Sequence, residues 1–225
     1  MSNVATVPSL PSSGRRNPAT VVKVLVWMAI VGVAVSFVWK YVFHYYLNYN
    51  EPTFLQGAAN YWSMRGWLLA HISGGMLALL TGPWQFWTGF RQRHMRIHRW
   101  TGRLFLVGVG VGSVGAFHLA TSTTFGWAFG FGLLMLALAW VTTTGMAYYA
   151  IIKGHVQTHK EWMIRAYVVT FGFVTFRILS DYGPTSRIEP AGDRIVTISW
   201  VCWAIPLLFT EVILQLRRMK KPLAR

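Results

Sequence analysis

Residues 21–43 read VVKVLVWMAIVGVAVSFVWKYVF, and this stretch decides the class of fold. It supplies about 20 mostly apolar residues in a row, which is the length that an α-helix needs to cross the hydrocarbon core of a bilayer. Basic residues precede it, as in a secretion signal, but no small-x-small cleavage site follows it. Trp39, Lys40 and Tyr41 are instead typical of an interfacial anchor. We therefore expect an uncleaved first membrane span.

The rest of the chain has the same apolar character. Of its 225 residues, 54% are hydrophobic and 12% are charged, which is about half the charged share of a soluble domain. Helices are expected because a lipid-exposed segment must satisfy its own backbone hydrogen bonds. We predict an all-α integral membrane helical bundle with six transmembrane helices, of which the last five lie at about residues 66–90, 100–121, 126–152, 162–182 and 196–216.

The chain ends differ in composition from the apolar region. Residues 1–20 are rich in Ser, Pro and small polar residues, which indicates a disordered tail. The six-span domain then occupies residues 21–216, and residues 217–225 form a short basic tail. An even number of spans places both tails on the same side of the membrane.

The net charge of +15 comes from 21 Lys and Arg against 6 Asp and Glu. In a soluble protein this excess would indicate nucleic acid, but here most of the basic residues lie on the side of the two tails. The positive-inside rule places that side, with both termini, in the cytoplasm. Topology therefore explains the charge, and we expect a lipid bilayer and no nucleic acid as partner. The opposite side keeps Lys40, Arg65, Arg177, Arg187 and Arg194.

Histidines within or beside the spans are the main candidates for chemistry. His71 and His118 lie toward the outer ends of spans two and three, whereas His98 and His159 lie at the inner margin. An ionisable residue inside a span is a functional-site hypothesis by default, and neutral imidazole is an axial ligand of haem iron. One pair near each face is the arrangement that a transmembrane electron carrier with two b-type haems would use.

Glycines near these histidines fit two interpretations. Gly74 and Gly75 follow His71 by about one turn, Gly115 precedes His118, and Gly102 follows His98. Such positions leave gaps that a porphyrin needs, and they also allow helices to pack closely. The string GVGVGSVG at 108–115 lacks a preceding strand, so close packing rather than dinucleotide binding is expected.

Two other functional classes remain open. His94 and His98, like His155 and His159, are spaced i, i+4 and share one helical face. With Glu161 they suggest a zinc or iron enzyme, such as a hydrolase or hydroxylase, at the cytoplasmic face. A protein without a cofactor, such as a transporter or an accessory or assembly subunit, is the other alternative.

Buried charges and one proline lead to further expectations. Arg177 and Asp181 are spaced i, i+4, so an ion pair is expected between them. Glu211 should reach headgroups or the arginines at 217–218. Gly82-Pro83 should kink span two, because proline removes a backbone hydrogen bond.

Three blocks resemble a known family: LLAHISGGMLALLTGPWQFW at 68–87, HRWTGR at 98–103 and HKEWMIRAYVVTFGFVTFRIL at 159–179. They are similar to the domain-of-unknown-function 2306 family of bacterial predicted multi-pass membrane proteins, over a core of about 66–180. The family has no settled biochemical role, so the resemblance implies a fold rather than a function. Its pattern singles out His71, Gly82, His98, Arg99, Gly102, Arg103, His159, Arg165 and Arg177.

Spans two to five are similar, more loosely, to the cytochrome b561-type haem core. This resemblance implies a component of a membrane oxidoreductase that carries electrons through haem b between membrane quinone and an outer redox partner protein. Its four ligands lie on four helices, whereas His98 and His118 share one span here. The expected ligands are His71 and His118 for an outer haem and His98 and His159 for an inner haem, with propionates held by Arg99, Arg103, Arg165 and Arg177.

Overall fold

The computed structural model describes residues 18–56 and 59–220 and shows a bundle built from helices. The predicted all-α membrane architecture is confirmed at this level. The helices are α1 (Pro18–Phe37), α2 (Phe43–Leu47), α3 (Arg65–Phe86), α4 (Thr88–Arg93), α5 (Met95–Thr121), α6 (Trp127–Ile152), α7 (Val156–Thr170), α8 (Gly172–Asp181) and α9 (Ala191–Met219).

Short irregular elements connect the helices. A π-helical turn, Val38–Val42, joins α1 to α2, and α7 continues into α8 through Phe171. The α2–α3 connection contains a 3₁₀ turn and a pair of two-residue antiparallel strands, in which Leu55 pairs with Asn60. A second 3₁₀ turn precedes α9. These elements are β1 (Leu55–Gln56), β2 (Ala59–Asn60) and the 3₁₀ turns Glu51–Phe54 and Pro184–Arg187.

Five helical segments of the described chain are long and apolar enough to cross a membrane, so the protein is a multi-pass membrane protein. The predicted second span, α3, is not among them, although it has 22 residues. Polar side chains interrupt its apolar run, among them His71 and Gln85. The five segments are Thr20–Leu47, Met95–Thr121, Trp127–Ile152, Val156–Asp181 and Ala191–Met219.

Successive long helices run in opposite directions, as their cross-helix contacts show. Trp27, in the first half of α1, donates to the carbonyl of Pro83 near the end of α3. His159 near the start of α7 contacts the carbonyl of Ala147 near the end of α6. The described chain therefore begins and finishes at one end of the bundle, here called the inner end. The α2–α3 and α8–α9 connections lie at the outer end.

Helices α3 and α5 pack backbone against backbone along a surface here called the glycine seam, formed by Gly74, Gly108, Gly112 and Gly115. A Cβ on Gly108 would lie 2.7 Å from the carbonyl oxygen of Gly74, and one on Gly115 would lie 2.5 Å from that of Trp67. The prediction that residues 108–115 serve close helix packing is confirmed. Only glycine permits this approach, because any side chain would push the two helices apart.

Pro83 lies inside α3, and neighbouring helices satisfy the backbone groups around it. Proline has no N–H, so the carbonyl of Leu79, four residues earlier, loses its helical donor. The hydroxyl of Tyr167 on α7 donates to that carbonyl at 3.0 Å. The Tyr167 ring lies over Gly82, where a Cβ would overlap it. The Gly82-Pro83 pair therefore creates a docking position for one tyrosine.

Two ion pairs join α7 to α9 in the inner half. Arg165 donates from Nε (2.8 Å) and from a terminal nitrogen (2.5 Å) to Glu211, and Arg218 pairs with Glu161. Glu211 therefore reaches across to α7, a partner that was not predicted for it. Antiparallel packing of the two helices brings these oppositely charged side chains to the same level.

The predicted ion pair between Arg177 and Asp181 is wrong. The Asp181 carboxylate accepts a hydrogen bond from the Tyr41 hydroxyl at 2.5 Å, and the Arg177 guanidinium lies 5.4 Å from the centre of the Tyr41 ring. No ion pair between these two residues is found in the described chain. Tyr41 is therefore the hydrogen-bond partner of Asp181, although the helical spacing had predicted Arg177 in this role.

The predicted tails lie largely outside the described residues. Residues 1–17 and 221–225 belong to that undescribed part. Within the described part, α1 begins at Pro18, three residues before the predicted start of the first span, and α9 continues to Met219.

Candidate functional site: an outer cavity

A cavity of about 320 Å³ opens within the outer half of the bundle and is here called the outer cavity. Its walls come from α1, α3, α5, α6, α7, α8 and α9, and they are mainly aliphatic and aromatic. This volume and this apolar lining are typical of a small-molecule site. The outer cavity is therefore the strongest candidate for a binding site in the described chain.

His71 is the imidazole in the wall of the outer cavity. Its Nδ1 lies 3.0 Å from the carbonyl oxygen of Gly112 across the glycine seam. A carbonyl only accepts, so Nδ1 carries the proton and the neutral ring keeps Nε2 as an acceptor. The ring packs edge-on against Phe173 (5.3 Å between centroids) and Trp140 (6.5 Å). No described residue supplies a hydrogen bond to Nε2, so His71 offers this atom to a ligand.

The two glycines that follow His71 face different surroundings. Gly74 lies in the glycine seam, where a side chain would strike Gly108 and Gly112. Gly75 lines the outer cavity, and a Cβ built on it would meet nothing within 4 Å. Of the glycines proposed to leave room for a porphyrin, Gly75 is therefore the one that borders open space.

The outer rim of the cavity carries polar side chains. Arg177, Tyr41, Tyr45 and Tyr61 line it, and no Asp or Glu is among its lining residues. Tyr61 lies in the α2–α3 connection, and burial raises the pKa of its hydroxyl. Tyr61 therefore stays neutral and can donate a hydrogen bond. The rim presents one cation and several hydroxyls above an apolar interior.

His118, the predicted partner of His71 for an outer haem, is not a lining residue of the cavity. Its ring stacks on Trp67, with 4.5 Å between the ring centroids and an interplanar angle of 24°. The His71 and His118 rings thus have different neighbours. Their joint ligation of one iron stays a prediction, and it would require His118 to leave Trp67.

The predicted inner pair, His98 and His159, lies toward the inner end, near the starts of α5 and α7. His159 donates from Nδ1 to the carbonyl of Ala147 at 2.8 Å, which leaves its Nε2 as an acceptor. The Nδ1 atom of His98 is buried and has no hydrogen-bond partner among the described residues. In the turn of α5 that follows His98, the Gln85 side chain donates a hydrogen bond to the Thr101 hydroxyl at 2.7 Å.

The four predicted propionate ligands lie in separate places. Arg99 and Arg103 are exposed on α5, and Arg103 lies over the Trp100 ring. Arg165 is buried and paired with Glu211. Arg177 alone among the four lines the outer cavity.

The described residues contain no group of three or more His, Cys, Asp and Glu that is placed to hold a metal ion. Glu161, the carboxylate of the proposed cytoplasmic metal site, is bound by Arg218 and by Gln157 at 3.0 Å. The i, i+4 histidine pairs therefore do not combine with a carboxylate into a metal centre. The structure gives the metal-enzyme alternative no support.

Several residues that shape the site were not predicted. Trp140 and Phe173 hold the His71 ring, and Tyr41 lines the rim while it binds Asp181. The role of Tyr167 could have been anticipated in part, because Pro83 leaves the carbonyl of Leu79 without its helical donor and so predicts that another group donates to it. No comparable signal marked the aromatic residues, since they are common in all membrane spans.

Comparison with known proteins gives one match. The sequence profile of the domain-of-unknown-function 2306 (DUF2306) family, described as a predicted membrane protein, matches residues 68–214. The match extends beyond the expected core and includes nearly all of the chain from α3 to α9. The α1 wall of the outer cavity lies outside it. No curated protein and no solved structure matches the chain.

Proposed function

The chain belongs to the domain-of-unknown-function 2306 family of predicted membrane proteins, and we propose that it binds a lipophilic small molecule in the outer cavity. The observation that carries the proposal is His71. Its Nδ1–H is fixed on Gly112, and its Nε2 acceptor is left for a ligand in an apolar cavity. A polar atom held in place within apolar walls orients a bound molecule and gives it specificity.

The proposed topology has six spans, with both termini in the cytoplasm of a bacterial inner membrane. At about 1.5 Å per residue, the 22 residues of α3 reach about 33 Å, enough to cross the hydrocarbon core. Basic residues at the inner end support this orientation. They include Arg91, Arg93, Arg96 and Lys153. The outer cavity then opens in the leaflet away from the cytoplasm.

Haem b is the ligand that we propose first, and His71 would hold it through Nε2. Histidines that bind metals commonly donate their second ring nitrogen to a carbonyl or carboxylate, and His71 and His159 both do so. The unpartnered Nδ1 of His98 is the orphaned polar atom that a second site near His159 would use. Bound haem would supply one-electron chemistry for exchange with quinone or a redox partner protein.

A lipophilic ligand without a metal is the second candidate, and it corresponds to a transport or accessory role. The position of His118 favours it, since this ring stacks on Trp67 and does not face His71 across the cavity. In this case the Nε2 atom of His71 accepts a hydrogen bond from a hydroxyl or other donor of the ligand. The apolar walls enclose the rest of the molecule.

Gly75→Leu tests the proposal by filling the outer cavity. A Cβ at Gly75 meets nothing within 4 Å, so the variant should fold while its side chain occupies ligand space. We expect the affinity for the ligand to fall by about tenfold, equivalent to ~1.4 kcal/mol of binding free energy, and the amount of co-purified ligand to fall with it. Gly110→Leu is the matched control, because Gly110 also has open space but lies on the exposed side of α5.

The measurement is made on protein purified in mild detergent after expression with added haem precursor. A reduced-minus-oxidised spectrum with a band near ~560 nm indicates low-spin haem, and mass spectrometry of an organic extract identifies other ligands. A colourless protein excludes the haem candidate. Equal ligand content in the wild type, Gly75→Leu and Gly110→Leu proteins would exclude the outer cavity as the binding site.

A further inference from the structure

Arg177 occupies an unusual position for an arginine in a membrane helix. It lies on α8 in the wall of the outer cavity, one helical turn beyond Phe173, whose ring contacts the His71 ring. Four residues of helix correspond to a rise of about 6 Å. The guanidinium is therefore displaced toward the outer rim relative to His71, and both side chains border the same space.

No carboxylate within 4.0 Å balances the charge of Arg177 in the part of the chain that the structure describes. The nearest acid on its own helix, Asp181, accepts a hydrogen bond from Tyr41. The Tyr41 ring, 5.4 Å from the guanidinium, contributes a cation–π contact. A half-buried cation in a membrane helix is costly unless an anion accompanies it. The cavity that it faces is the place where such an anion can bind.

The second cavity-facing polar group differs from Arg177 in character. His71 is a neutral acceptor among aromatic rings, and the walls around it are apolar. Near Arg177 the rim adds the hydroxyls of Tyr61 and Ser180. A ligand that satisfies both regions has an anionic head at the rim and an apolar body that extends inward.

We infer that the outer cavity binds a carboxylate-bearing amphiphile, whose carboxylate pairs with Arg177 and whose apolar body reaches His71. This inference rests on the proposed function and names the chemical class of its ligand. Arginine forms two parallel hydrogen bonds with a carboxylate, which gives direction as well as affinity. A porphyrin propionate and a fatty-acid carboxylate share this chemistry, so the experiment must separate them.

The test compares each acid with its ester, because esterification removes the charge and leaves the apolar body unchanged. Haemin is compared with its dimethyl ester, and dibromostearic acid with its methyl ester. Binding to the full-length protein in detergent micelles is followed by quenching of tryptophan fluorescence, since Trp140 lines the cavity. We expect the wild type to bind at least one of the acids about tenfold more tightly than its ester, as a charge-assisted hydrogen bond would give.

Three variants test whether Arg177 causes the preference for an acid over its ester. Arg177→Gln should reduce it to less than about twofold, and Arg177→Lys should keep part of it because the charge remains. Arg187→Gln is the matched control, since Arg187 is an exposed arginine in the 3₁₀ turn before α9 and does not line the cavity. It should retain the full preference.

The outcomes separate this inference from the proposed function. A preference in the haemin pair alone identifies a porphyrin ligand, and one in the fatty-acid pair alone identifies a lipid. Equal binding of acid and ester by the wild type overturns the inference but leaves lipophilic binding intact, and this comparison needs no variant. A preference that survives Arg177→Gln also overturns it. Absence of binding by both acids and both esters overturns both proposals.

Discussion

On one side of α3, Gly74 meets the backbone of α5, whereas on the adjoining side Gly75 faces the outer cavity. The two residues are neighbours in sequence and identical in type. Gly74 belongs to the glycine seam, which leaves no space, and Gly75 belongs to a wall that encloses space. A small residue in a membrane helix therefore has two possible uses, and only its neighbours in three dimensions show which applies.

The two arginines within the α7–α8 segment show the same contrast. Arg165 is bound by Glu211 of α9, and only 8% of its side chain is exposed. Arg177 faces the outer cavity, and the described chain provides no carboxylate for it. The first arginine holds two helices together, and the second is available to a ligand. The predictions below test this division between structural and ligand-facing positions.

The largest effect is expected from the same substitution at the two neighbouring glycines. Gly74→Leu places a side chain against the backbone of α5, so the cost should be well above the roughly 3 kcal/mol of an overpacked core. Gly75→Leu should leave the free energy of unfolding within about 1 kcal/mol of the wild type. Unfolding in mixed micelles of mild detergent and dodecyl sulfate measures both. Similar stability of the two variants would contradict the contrast between seam and cavity.

A smaller but clear effect is expected at the ion pair between Arg165 and Glu211. Glu211→Gln removes the carboxylate and leaves a buried guanidinium, so we expect a loss of about 3 kcal/mol in the free energy of unfolding. Arg165→Met should cost less, because 41% of the Glu211 side chain is exposed and can be hydrated. The double variant should recover much of the loss. An equal cost for both single variants would show that the different burial of Arg165 and Glu211 does not determine the cost of breaking the ion pair.

The smallest effect is expected at Tyr167. Tyr167→Phe leaves the Leu79 carbonyl without a donor, which should cost about 1–2 kcal/mol. In a Pro83→Ala background the restored backbone N–H can donate to Leu79, so the same substitution should then cost less. The difference between the two backgrounds in a double-mutant cycle measures this compensation. An unchanged cost would mean that Tyr167 acts through packing alone.

Much of the fold could be predicted from the sequence because lipid imposes simple requirements. Apolar runs of sufficient length predict spans, and five of the predicted spans coincide with described helical segments that are long and apolar enough to cross a membrane. The use of residues 108–115 for close packing was also predictable, since small residues at that spacing have few other uses in a span. The predicted second span, α3, is the exception, since it is not among these five segments.

The candidate site was predictable only in part. His71 was identified because an imidazole inside a span is rare and costly. His118 satisfied the same criterion, yet its ring stacks on Trp67 rather than lining the cavity. Helical spacing also assigned Asp181 to Arg177, although Tyr41 from α1 binds that carboxylate. Spacing along one helix describes local neighbours and contains no information about a competing side chain from another helix.

The sequence by itself determined that this protein is an all-helical, multi-pass membrane protein, and it identified His71 and Arg177 as unusual residues. These conclusions depend on composition and on the cost of polar groups in lipid, which are properties of each segment alone. Only the tertiary structure decided that His71 donates to Gly112, that Arg165 has a carboxylate partner while Arg177 has none in the described chain, and that both His71 and Arg177 border one cavity. The physical reason is that partners and empty space arise between helices, after packing has fixed which faces meet.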